Sequence, residues 1–140
     1  MYSAMTIAKY IINKCVEIGR PVSNLKLQKI LYYVQGEYMK YNNGRTLFED
    51  DIEAWQYGPV VPEVYYNYNG FASSNIILTS EVDLPLDIKN IIDPVIKDKS
   101  RFNAWTLVEQ THSELPWKKA YIGMDKNVIK KEFLQEYFCN

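Results

Sequence analysis

A single histidine, His112, serves the whole 140-residue chain, and that scarcity removes most enzyme chemistry. A metal centre built on several histidines is excluded, and a Ser–His–Asp arrangement could use only this imidazole as base. Ser113 and Glu114 sit too close to it in sequence to signal a triad. Next to a helix end, His112 reads as a capping or packing residue. Cysteine is almost as rare. Cys15 and Cys139 fit neither a metal-ligand spacing nor a disulfide framework. Cys15 falls on the apolar stripe of the first predicted helix and reads as a small core residue, Cys139 as a free thiol. The six glycines are scattered at 19, 36, 44, 58, 70 and 123, so no glycine-rich phosphate loop exists. The triplet Glu49-Asp50-Asp51 lacks further ligands and reads as a solvated turn with helix-capping carboxylates. No catalytic residue, cofactor or metal is expected.

Long hydrophobic runs are also missing. No stretch approaches the eighteen or so apolar residues that cross a bilayer, and Met1 to Thr6 do not begin a signal peptide. The expected location is cytoplasmic, with no membrane partner. The net charge of −1 conceals blocks of +4 over residues 1–36, −7 over 37–93, +4 over 94–131 and −2 over 132–140. Such polarity tunes protein association rather than fold. The pI of 5.9 and the lack of one concentrated basic patch speak against nucleic acid. The Gly19-Arg20-Pro21 link between two helices resembles a helix-turn-helix only superficially. The second helix offers Lys26 and Lys29 near its start and then turns apolar and tyrosine-rich.

What is present is helical periodicity. Ala8, Ile11, Ile12, Cys15 and Val16 predict a helix over 6–18. Ser23 is a fitting N-cap for a second helix to about Tyr41, with a stripe of Leu27, Ile30, Leu31, Val34, Tyr38 and Tyr41. Gly36 inside it predicts close approach by another element. Leu47-Phe48 and Ile52 to Trp55 suit two brief extended pieces, and Ile76 to Leu78 is the expected partner of 52–55. Pro62 suits the first turn of a third helix. A fourth comes after Pro85, which Pro94 should kink or shorten. Asn103 caps a fifth, Pro116 opens a short sixth, and Phe133, Leu134 and Tyr137 mark the last. The fold class is mostly α (α+β): a single compact multi-helix domain over 1–140, with a small antiparallel β element around residues 46–57 and 75–79.

Aromatic residues are abundant. Eight of twelve tyrosines fall between positions 32 and 68. Tyr32 and Tyr33, like Tyr65 and Tyr66, are adjacent on helices and cannot share one helix face, so at least one flanks the apolar stripe. Some exposed aromatic surface is expected, of the kind binding sites favour. In Trp55-Gln56-Tyr57-Gly58-Pro59, Pro59 pushes Gly58 toward extended backbone, and the glycine allows a sharp turn. A stiff elbow should result.

Three motifs carry a family likeness: Leu25-Lys26-Leu27-Gln28-Lys29-Ile30-Leu31-Tyr32-Tyr33-Val34-Gln35-Gly36, Ala54-Trp55-Gln56-Tyr57-Gly58-Pro59-Val60-Val61-Pro62, and Thr111-His112 followed by Pro116-Trp117. In wording, order and spacing they resemble the Panacea domain of SocA-like antitoxins and GepA-like phage proteins, with residues 71–103 matching less well. The resemblance implies an antitoxin of a toxin–antitoxin system, often prophage-borne, that binds its toxin directly or acts as a proteolytic adaptor. The implied partners are a cognate toxin protein and a cytosolic AAA+ protease. Partner-binding residues expected on this basis are Lys29, Tyr33, Trp55, Tyr57, Gly58, Pro59, His112 and Trp117. The competing reading is a phage regulatory protein that binds nucleic acid or a host protein.

Overall fold

The computed structural model describes residues 1–123 and 126–140. Its centre is helix α2 (Asn24–Tyr41), started by Ser23, whose hydroxyl accepts from the Lys26 amide. Around it pack α1 (Ala4–Glu17), α4 (Leu86–Lys99), α5 (Ala104–His112) and α7 (Lys131–Phe138). The short helix α3 (Pro62–Asn67) packs on α1 and α2, and α6 (Leu115–Ala120) on α5 and α7. Twelve of the eighteen residues of α2 are buried, so the helix is enclosed rather than amphipathic. Such a helix cannot enter a DNA groove, and Lys26 and Lys29 are both engaged within the chain. The stripe read from the sequence is buried at Leu27, Ile30, Leu31 and Val34 but runs out to exposure at Tyr41.

Enclosure obliges the polar side chains of α2 to find internal partners, and Gln28, Lys29 and Gln35 take hold of the backbone between residues 47 and 61. Gln35 donates to Phe48 O and accepts from Leu47 N at 2.8 Å. Gln28 accepts from Val61 N at 2.9 Å and is steadied by Asn24. Lys29 donates to Pro59 O at 2.8 Å. The motif's polar letters are therefore clamps that tie the chain between residues 47 and 61 to the core. Gly36 meets its expected neighbour, since a Cβ there would lie 2.3 Å from the Phe138 ring of α7.

The sheet is antiparallel and three-stranded, in the order β2 (Gly58–Val60), β1 (Glu53–Trp55), β3 (Asn127–Val128). Fold class agrees with the sequence reading, but the partner of residues 53–55 does not. Ile76 bridges Val22 instead, with its amide donating to Val22 O at 2.7 Å, and Ile77 and Leu78 are exposed. Phe48 bridges Tyr2. The outer place beside β1 falls to Asn127–Val128, a pair too short to show alternation. Helix α4 runs through Pro94 without being cut short. Pro94 and Asn90 both lie on the solvent side, where water can take the carbonyl that proline leaves unpaired. Asp50 does cap a helix: its carboxylate accepts from the Ala4 amide at 2.9 Å, beside the N-cap Ser3.

Candidate protein-binding site

Antiparallel pairing of Trp55 with Gly58 leaves Gln56-Tyr57 as a two-residue hairpin tip. Gly58 holds φ at +103°, and a Cβ there would come within 2.8 Å of both Lys29 Cε and Thr111 Oγ1. Glycine is thus required twice, for the backbone angle and for the space. Side chains from three helices then fasten the hairpin by its carbonyls. Lys29 of α2 donates to Pro59 O, Trp117 of α6 donates through Nε1 to Trp55 O at 2.8 Å, and His112 of α5 donates through Nε2 to Gln56 O at 3.0 Å. Proline at 59 and 62 stiffens β2 and the entry to α3. The expected elbow is a braced hairpin.

Rings gather on this scaffold. His112 stacks on Trp117 at 4.1 Å between centroids, and Trp117 on Tyr121 at 4.6 Å. Trp55 packs edge-on against Tyr65, its Nε1 donating to Glu53 and its face covered by the Lys126 ammonium. At the tip, Tyr57 meets Trp105 of α5 edge-to-face at 5.2 Å, and both are about half exposed, 49% and 56%. Between the hairpin, α3 and the start of α2 lies a groove of about 460 Å³, walled by Trp55, Tyr57, Tyr65 and Trp105.

Behind the rings is a buried polar layer. The Glu114 carboxylate accepts from Tyr32 Oη and Tyr33 Oη, each at 2.9 Å, and the Lys99 ammonium lies 4.2 Å from the Tyr33 ring centroid. Burial pushes the Glu114 carboxyl above its ordinary range, against the opposing pull of the two hydroxyls. Burial likewise raises both phenols well above theirs. Lys29 is enclosed without an acidic partner among the described residues, and desolvation lowers its ammonium from 10.5 to about 7.

The sequence-derived site residues divide cleanly. Trp55, Tyr57, His112 and Trp117 reach the surface and lie together around the hairpin. Lys29, Tyr33, Gly58 and Pro59 do not: all four are buried and hold the others in place. As surface residues they are corrected: α2 is enclosed on the side that carries Lys29 and Tyr33, and Gly58 and Pro59 of β2 lie against Lys29 and Thr111 beneath the hairpin. Trp105 and Tyr65 complete the groove, although the sequence reading did not select them. Trp105 stands apart from the buried Leu107, Val108 and Thr111 of its helix, and that displacement was the available signal.

Among the described residues no three His, Cys, Asp or Glu side chains group so as to hold a metal, and no helix is long and apolar enough to cross a membrane. Fold and site define a small, mainly helical protein that displays a braced aromatic hairpin. Residues 27–118 match the family model described as Antitoxin SocA-like, Panacea domain, and the chain belongs to that family. Antitoxin SocA of Caulobacter vibrioides (strain NA1000 / CB15N) is 32% identical over 141 aligned residues, covering 89% of this chain and 73% of that protein. No solved structure matches the chain.

Proposed function

We propose that this chain, acting as one Panacea-like unit over 1–140, is an antitoxin that neutralises a cognate protein toxin in the cytoplasm by binding it at the aromatic hairpin. It performs no chemistry on the toxin. Supporting this is the exposed Tyr57–Trp105 pair at the rim of a groove, on a hairpin fastened from three helices. Large exposed rings on a rigid backbone lose little entropy on binding, which suits a partner site better than a packing surface. Family membership and the likeness to Antitoxin SocA supply the antitoxin reading. Complex formation then acts in one of two ways, by occluding the toxin or by carrying it to a cytosolic AAA+ protease.

Co-expression with the product of the neighbouring gene tests the proposal. Growth should be rescued and the two proteins should co-purify, while Tyr57→Ala with Trp105→Ala should lose both. The toxin's half-life in cells lacking individual AAA+ proteases separates occlusion from delivery. Failure of rescue with a stably expressed pair removes the antitoxin reading.

A further inference from the structure

The groove beside the hairpin has a chemical character that specifies its occupant. Asp, Glu, Lys and Arg make up 24% of the chain, yet among the described residues none of them lines this groove. Glu53 of β1 and Lys126, the residue before β3, are engaged with the Trp55 ring itself and do not line the cavity. Its walls carry four aromatic rings, Trp55, Tyr57, Tyr65 and Trp105, beside the aliphatic Leu25 and Val60. Two amide side chains at its edges, Gln56 and Asn69, make no hydrogen bond to another described residue. A charged ligand placed here would lose its hydration without gaining a counter-charge. An uncharged one would bury apolar surface against the rings and offer its backbone to the free amides.

We propose that this groove receives an extended, uncharged segment of the partner protein, bearing proline or aliphatic side chains. Two ring pairs on one groove, Trp55 with Tyr65 and Tyr57 with Trp105, suit flat apolar side chains packed against them, and proline brings a backbone already extended, so little entropy is lost on docking. A helix would instead present anchors on one narrow stripe and hide the backbone groups that the amides could reach. The idea rests on the antitoxin reading only for the owner of the segment, since the groove's selectivity can be measured without any toxin.

The purified chain is panned against a random-peptide phage library, and the recovered peptides are synthesised and titrated. Expected are uncharged peptides containing proline, without apolar residues at helical spacing, whose affinity falls about tenfold or more in Trp105→Ala. Tyr57→Ala serves as a second variant should Trp105→Ala unfold. Ser73, which also lines the groove, reads out charge: Ser73→Lys and Ser73→Asp should both weaken binding. Recovery of charged or helix-patterned peptides, or of none, overturns the proposal. So does strengthening by either Ser73 variant, or a dimer in sedimentation that Trp105→Ala dissociates, which would assign the groove to a second copy. Toxin rescue is scored separately. Rescue that persists when peptide selection fails refutes this occupant alone, and selection without rescue refutes the antitoxin reading alone.

Discussion

Several side chains carry roles that a conservative substitution would expose. At Gly36 a methyl group would overlap the Phe138 ring, so Gly36→Ala should force the C-terminal helix outward and cost roughly 1–3 kcal/mol in urea denaturation. Gly58→Ala faces both positive φ and two contacts at 2.8 Å. It should cost a similar amount, about 1–3 kcal/mol, and also loosen the hairpin, visible as faster amide exchange at 56–60. Trp117→Phe keeps a ring on His112 and removes only the indole donor to Trp55 O. About 1 kcal/mol should be lost. The sequence announced the close neighbour of Gly36 and the turn at Gly58, whereas Trp117 stood out for its identity and not for its duty. Lys29 read as a contact residue on the family resemblance; only the packing of α2 shows it inside.

Elements here are held by side chains that reach across the chain more than by their own propensity. The first turn of α1 takes its cap from Ser3 and again from Asp50. Asp50→Ala should therefore lower thermal stability by about 1 kcal/mol, although Asp50 lies far from the helix in sequence. Helix positions were legible from apolar spacing and caps: Ser23, Asn103 and Pro62 stand where the sequence placed them. Strand pairing was not. The segment at 76–78 has the composition of a strand, yet one residue of it pairs, with Val22, and Asn127–Val128 completes the sheet. Choice of strand partner is a long-range matter that local composition does not encode.

For the molecule as a whole, buried ionisable groups set an unusual pH dependence. In the unfolded chain Lys29 holds its proton up to about 10.5, whereas in the folded chain it releases it near 7. Between these limits the unfolded state binds more protons, so stability rises with pH. Tyr32 and Tyr33 work the other way. Their folded forms keep protons that the unfolded chain loses near 10, so stability falls above that point. A maximum is expected on the alkaline side, and Lys29→Met should flatten the climb between pH 7 and 10 in denaturation midpoints. Function should part company with stability at the hairpin. Tyr57 and Trp105 are half exposed, so their alanine variants should stay within about 1 kcal/mol of the parent while toxin neutralisation is lost.

By itself the sequence determined the helical class, the places of the helices and several of their caps, the scarcity of histidine and cysteine, and three motifs that mark a family. These come from local periodicity and residue chemistry, which act over a few positions. Tertiary structure alone decided that α2 lies enclosed at the centre, that Lys29 and Tyr33 face inward, and that Trp55, Tyr57 and Trp105 meet around one groove. Those outcomes depend on which distant surfaces exclude water together, and close packing of the helices around α2 settles that only when the whole chain has folded.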